Sequence, residues 1–338
     1  SVPGKLIGWI SVFEEKKVSA CLPYWHISNN LNDLAADCNE PNGAWWLYKW
    51  YGDMSGETVQ VSVENQGKQG FYGLASVDEN KKCANVIFGG AKDQCRIVLN
   101  NLDKIQSFNT GKVKARVEAT YWTGYHGVAG EPEIILEGVY AAESGKIVID
   151  LSGIDEMAAY NLTVSGADKN DDVGIAKTGP WRMTYEAEKA ELIGKANVKS
   201  KINDNYAYSG KKIVESIVNP GDGVKFSVDV PIDGYYRFEL IYGNGSGNNT
   251  ANPKENNPET VVSDLIIDND TCIRLILPNT LSRYMAGMHT EYIRLAKGEH
   301  VFVIKHVAGS EGASLDCMRL VFEGEEMPSG EKVYEAEY

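Results

Sequence analysis

From residue 57 onward the chain is written in short alternating runs separated by turn residues, and this limits its fold more than any other feature. Thr58-Val59-Gln60-Val61-Ser62-Val63 alternates polar with apolar, as does Val113-Lys114-Ala115-Arg116-Val117-Glu118-Ala119-Thr120. Neighbouring side chains of an extended chain point to opposite faces, so such a run buries one face and wets the other. Residues 73–78, 84–90, 95–99, 147–151 and 159–164 continue the pattern, giving seven or eight expected strands over 57–165. Many short strands with turns between them pack as two sheets. Gly89-Gly90 reads as a turn, because no Lys-Ser/Thr and no helix follows it to cradle a phosphate. A second set of runs begins near Trp181 and ends near Glu323. The expected fold class is therefore mainly β: two β-sandwich, jelly-roll-like domains, preceded by a short α/β remnant.

That remnant occupies residues 1–56. Val18 to Trp25 reads as a strand and 29–37 as a loop or short helical turn. Pro41-Asn42 and Gly52 then read as the start and stop of a helix carrying Trp45, Trp46, Leu47, Lys49 and Trp50. The expected domains are 1–56, an accessory sandwich at 57–165, a Gly/Asp/Asn/Lys-rich linker at 166–180, a third domain at 181–324, and a further linker from 325. Tyr185-Glu186-Ala187-Glu188 recurs as Tyr334-Glu335-Ala336-Glu337, 149 positions later, so a repeat is expected to begin there.

A net charge of −14 argues against nucleic acid and anionic membranes, which require basic surfaces. No apolar run approaches a membrane span. Ser1-Val2-Pro3-Gly4 lacks the basic and apolar regions of a signal peptide and reads as an interior cut. A secreted, extracellular or cell-surface protein is expected. The six cysteines, Cys21, Cys38, Cys83, Cys95, Cys272 and Cys317, contain no CxxC pair. Cys83 and Cys95 flank a hairpin and either bridge or stay as buried thiols.

Three acids draw attention. Glu186 and Glu188 lie two apart, hence on one face of an extended chain. Asp316 shares its phase with Met318, Leu320 and Phe322, the more apolar face of its run. Either these are a solvated edge, or they converge. A buried carboxylate needs a partner or a cation, and several hard oxygens suit Ca²⁺. Elsewhere, Trp122, Tyr125, His126, Glu131 and Glu133 share one loop where acid–base chemistry is conceivable, against solvated acids or packing on a missing domain. His300 and His306 read as structural.

The segments Tyr185-Glu186-Ala187-Glu188, Tyr208-Ser209-Gly210-Lys211-Lys212-Ile213-Val214, Val224 to Pro231, Gly234-Tyr235-Tyr236-Arg237-Phe238, Leu295 to His300 and Leu315-Asp316 follow one another in an order and spacing that resembles carbohydrate-binding module families 6 and 35. The resemblance implies a β-sandwich, a structural calcium on Glu186, Glu188 and Asp316, and sugar recognition in loops at one end. In those families a tryptophan often stands near the place of Tyr284. All seven tryptophans here lie at or before Trp181, so stacking would fall to tyrosine. The candidate sugar contacts are Tyr206, Asn244, Asn248, Arg283 and Tyr284, with Arg283 suited to a uronate carboxylate. The opening 50 or so residues resemble the end of a (β/α)₈ barrel of clan A glycoside hydrolases, with Trp25 either at the sugar-stacking place or packed in the core. That clan's two catalytic carboxylates lie on the fourth and seventh strands, for which this chain has no sequence.

The expectation is a non-catalytic, calcium-stabilised, polysaccharide- or oligosaccharide-binding C-terminal region of a secreted glycoside hydrolase, working with the remainder of its parent enzyme. The alternatives are a glycosidase in its own right, using Glu131, Glu133 and Asp155, and a structural or adhesive spacer.

Overall fold

The computed structural model describes residues 2–20, 34–36, 40–63, 70–124, 127–200, 208–248, 252–308, 312–328 and 333–334. The chain divides into two compact units, Ser1–Gly179 and Pro180–Tyr338. Antiparallel strands dominate both.

The first unit opens with two helices, α1 (Pro3–Lys16) and α2 (Gly43–Asp53). Asn42 caps α2 by accepting from the amides of Ala44 and Trp45 at 3.0 and 3.1 Å, so this helix starts where Pro41-Asn42 place it; it runs through Gly52, the expected stop, to Asp53. Strands β1 (Glu57–Val59), β2 (Tyr72–Asp78), β3 (Cys83–Gly89), β4 (Asp93–Leu99), β5 (Lys112–Thr120), β6 (Glu133–Ala141), β7 (Ile147–Ile154), β8 (Ala159–Gly166) and β9 (Gly174–Thr178) follow. Seven of them form one sheet in the order β1-β2-β3-β8-β5-β6-β9, and β4 and β7 form a separate ribbon. β5 shows why: Val113, Ala115, Val117 and Ala119 point inward and join Ile147, Ile149 and Leu151 of the ribbon in one core. The opposite face of the sheet offers Leu74, Ile87 and Ala159, which Leu6, Ile7, Ile10, Leu47 and Trp50 of the helices cover.

Two readings change here. The segment 166–180 carries β9, which runs antiparallel along β6 from Leu136↔Thr178 to Val139↔Gly174. The chain before β9 is tied down as well, since Lys112 Nζ donates to the carbonyls of Lys169 and Asp171 at 2.8 and 2.6 Å. Residues 18–20 form no strand, and the rest of the strand expected up to Trp25, with the 29–33 stretch after it, lies outside the described residues.

The second unit holds β10 (Arg182–Glu186), β11 (Glu191–Ile193), β12 (Asn197–Ser200), β13 (Lys212–Glu215), β14 (Gly223–Val230), β15 (Gly234–Gly243), β16 (Val261–Ile267), β17 (Thr271–Leu277), β18 (Ala286–Leu295), β19 (Gly298–Ala308), β20 (Ser314–Gly324) and β21 (Val333–Tyr334). One sheet runs β12-β13-β20-β15-β18-β21, with β10 also on β20; the other runs β11-β14-β19-β16-β17. Phe226, Val228 and Val230 of β14 face Tyr236, Phe238 and Leu240 of β15 across a shared core, where Phe238 stacks on Phe302 at 6.3 Å. The two copies of the repeated motif have different surroundings. Tyr185 pairs antiparallel with Met318, whereas Tyr334 lies parallel beside Ile293. Residues 335–337 lie outside the described residues.

Candidate functional site

The three acids do not lie along one extended stretch. β10 stops at Glu186, and 187–189 forms a tight turn closed by Ala190 N–H to Ala187 O at 3.1 Å. The cause is Ala187, small enough to turn inward and lie fully buried in the core. The turn carries Glu188 off the strand, so the expectation that the two glutamates share a strand face is corrected. The solvated-edge reading fails too: Glu186 is 6 % and Asp316 2 % exposed.

Ser209 ties these two acids together. Its amide donates to both carboxylate oxygens of Asp316, at 3.1 and 3.2 Å. Its hydroxyl lies 3.3 Å from Asp316 Oδ1 and makes a short bond to Glu186 Oε2. One hydroxyl has one proton to share between two carboxylates. Glu188 Oε2 is buried without a hydrogen-bond partner among the described residues. Beside it, Gly210 has a positive φ of 57°, and a Cβ there would stand 3.3 Å from Glu188 Oε1. Burial, then the charges of Glu186 and Glu188, push the Asp316 carboxyl well above the usual carboxylate range, against the opposing bonds from Ser209. The donor set is all hard oxygen and over-supplied with negative charge, which fits a divalent cation in chemistry. In distance the fit is incomplete: as they stand, no three His, Cys, Asp or Glu side chains among the described residues are gathered closely enough to hold a metal ion.

At the same end of the sandwich, β15, β18 and β20 begin or stop together, with Gly243 opposite both Ala286 and Ser314. A cleft of about 240 Å³ opens there between Ser216, Val218, Gly245, Arg283, Gly312, Ala313 and Ser314. Of the expected sugar contacts, Arg283 lines it. Tyr284 is half-buried; Lys199 Nζ bonds its hydroxyl and sits 4.9 Å from its ring centroid. Asn248 donates to Asn279 Oδ1 and Leu281 O. Asn244 is fully buried, and its amide is spent inside the loop, donating to Glu259 O and Leu277 O at 2.9 Å while accepting from Ser246 N–H. Tyr206 lies outside the described residues. Reading the sequence missed Ser216, Val218 and 312–314, which carry no aromatic or amide signature, and the bridging role of Ser209.

In the first unit, Trp122 is buried, Glu131 is exposed and Glu133 opens β6. Asp155 accepts the Met157 amide at 2.8 Å in the turn between β7 and β8. Tyr125, His126 and Trp25 lie outside the described residues. Cys83, Cys95, Cys272 and Cys317 are free thiols, so the Cys83–Cys95 bridge is not formed; the two stand on strands of different sheets. His300 is held between Asp268 and Ala296 O at 2.7 Å each, and His306 is buried.

A two-unit, mainly antiparallel β chain with a buried acid cluster and a loop cleft at one end of its second unit is thus the class of molecule that fold and geometry define. No family model matches it. It is 36 % identical over 258 residues to a 3-O-α-D-galactosyl-α-L-arabinofuranosidase of Bifidobacterium longum subsp. longum, covering 71 % of this chain and 22 % of that protein. It is 35 % identical over 267 residues to a 3-O-β-L-arabinopyranosyl-α-L-arabinofuranosidase of Bifidobacterium pseudocatenulatum, covering 72 % and 27 %. The chain therefore spans about a quarter of these relatives, which are glycoside hydrolases. Either alignment is longer than the second unit and reaches into the first. Among solved structures, a family 35 carbohydrate-binding module from Clostridium thermocellum matches 41 % of this chain and 97 % of its own, at 18 % identity and a TM-score of 0.35.

Proposed function

We propose that the chain is a non-catalytic, sugar-docking region of a secreted glycoside hydrolase, and that its second unit is a calcium-stabilised carbohydrate-binding module. The observation that carries this reading is the buried cluster of Glu186, Asp316 and Ser209 beside an oxygen of Glu188 that has no hydrogen-bond partner among the described residues. The groups acting on Asp316 are two more acids and a serine. A bound Ca²⁺ would supply positive charge beside these acids. Glu186, Glu188 and Asp316 would hold it, with Ser209 Oγ at hand.

The adjoining cleft takes the sugar. Arg283 and Tyr284 offer a guanidinium and a ring and Asn248 an amide; Tyr206, outside the described residues, is the remaining candidate contact. Asn244 shapes the loop from within. The two relatives act on galactosyl- and arabinopyranosyl-arabinofuranosides, so side-chain oligosaccharides of that kind are the sugars to try first. Docking them would raise the effective concentration of the parent enzyme's active site at its substrate.

The test is a glycan array probed with the intact chain in Ca²⁺ and in EGTA, beside melting curves in both. Calcium-dependent stabilisation with retained glycans supports the reading. An unchanged melting point with no glycan bound sinks it, and turnover of nitrophenyl arabinosides by this chain alone would sink its non-catalytic part.

A further inference from the structure

The acid cluster and the cleft are joined by one tripeptide. Ser209 and Gly210 belong to the cluster, as described. Tyr208, one residue earlier, is buried at 2 % exposure, and its hydroxyl donates to the backbone carbonyl of Arg283 at 2.5 Å. Arg283 lines the cleft. The contact is built into the opposite strand as well. A Cβ on Gly243 would fall 2.1 Å from Tyr208 Oη and 2.2 Å from Arg283 O, and one on Gly245 would fall 2.6 Å from Arg283 N. Only glycine at these places lets the tyrosine reach the loop.

We infer that Tyr208 is a positioning residue: it transmits cation occupancy at the acid cluster to the 281–285 loop, so that the cation orders the wall of the sugar cleft. This rests on the calcium reading above. The physical basis is short: hydrogen bonds at either end of one peptide link between Tyr208 and Ser209. A cation drawing Glu186, Glu188 and Asp316 together fixes the Ser209 amide and hydroxyl that bond them. Fixing Ser209 fixes the backbone of Tyr208, whose rigid ring carries a hydroxyl to one particular carbonyl. Two sites that bias one shared element are coupled, and the coupling is reciprocal. The hydroxyl is the only group of the tyrosine needed for this, which makes it removable without emptying the core.

The experiment is amide hydrogen exchange on the intact chain in CaCl₂ and in EGTA, with melting points in both. In the unaltered chain, Ca²⁺ is expected to slow exchange in peptides covering 281–286 by at least about fivefold, within the usual range of site-to-site coupling. In Tyr208→Phe, the calcium-induced rise in melting point is retained and the slowing at 281–286 is lost. Should Tyr208→Phe not fold, Gly243→Ala displaces the same contact from the end of β15 and is read in the same way. Equal slowing in Tyr208→Phe and the unaltered chain would overturn the inference. So would a loop indifferent to Ca²⁺ in a chain that Ca²⁺ stabilises. A chain whose melting point ignores Ca²⁺ removes the inference at its root, and that outcome is recognisable as the failure of the calcium reading itself.

Discussion

Two buried carboxylates of the second unit meet opposite surroundings. Glu239 on β15 stands among Arg182, Arg237 and Arg319, with contacts of 3.8, 2.8 and 3.5 Å. Asp316 on β20 stands among Glu186, Glu188 and Ser209. Burial pushes both carboxyls up. At Glu239, Arg319, Arg182 and Arg237 together overcome it and pull the carboxyl down to about 2. At Asp316, neighbouring acids add to it. Among the described residues, the groups acting on Glu239 are arginines, and those acting on Asp316 are two acids and a serine. This contrast between β15 and the neighbouring β20 is what the calcium proposal explains.

The largest expected effect comes from breaking the self-sufficient site. Glu239→Gln keeps the shape and leaves buried guanidiniums without their counter-charge, which costs about 3–5 kcal/mol. Urea unfolding measures it, and the loss should be the same in Ca²⁺ and EGTA. The sign with pH follows from the depressed value. This contribution is complete above the ordinary carboxylate range and is lost as pH falls toward about 2.

Next is the dependent site, where the comparison predicts the opposite on every count. Calcium at a hundredfold excess over its Kd should stabilise the chain by roughly 2.7 kcal/mol. Asp316→Asn should abolish that increment and, in EGTA, should not lower stability, because it removes one of several crowded charges. An Asp316→Asn chain that melts lower in EGTA while still responding to Ca²⁺ would erase the distinction between the two sites. With no calcium, the raised carboxyl of Asp316 means that the folded state binds the extra proton. Stability should therefore rise as pH falls from neutral toward the ordinary aspartate range, and calcium should flatten that rise. A melting series in EGTA across that window, repeated in CaCl₂, checks both signs.

Legibility followed the same divide. Alternation in β5 and the phase of Asp316 were readable, because a period of two survives translation into a sheet. The arginine site was not. Arg237, Glu239 and Arg319 occupy positions that alternate with core residues and so read as a wetted face, yet Arg319 and Glu239 are 2 % and 5 % exposed. Glu186 and Asp316 were readable as partners, but Ser209 lies in neither run and Glu188 needed a turn set by the burial of Ala187. Helix α1 was missed because Gly4 and Gly8 lower its propensity. Tertiary contact demands both: a Cβ on Gly4 would lie 2.3 Å from Glu156 O, and one on Gly8 would lie 3.0 Å from the Tyr72 ring.

Asn244 sharpens the comparison with a third solution, a neutral group satisfied entirely by backbone. Its Nδ2 bonds two carbonyls, Glu259 O and Leu277 O, and its Oδ1 takes the Ser246 amide. Asn244→Ala leaves those buried backbone groups unsatisfied, at a cost of about 1–2 kcal/mol. The loss should be independent of pH and of Ca²⁺, since nothing at this position titrates or binds a metal. It should nevertheless weaken glycan retention, because the residues it braces, Ser246 to Asn248, stand next to Gly245 on the cleft wall. Normal stability with abolished glycan binding would instead make Asn244 a direct contact, reached by the sugar only if the loop opens, and the neutral site would then belong with Asp316 as one completed from outside.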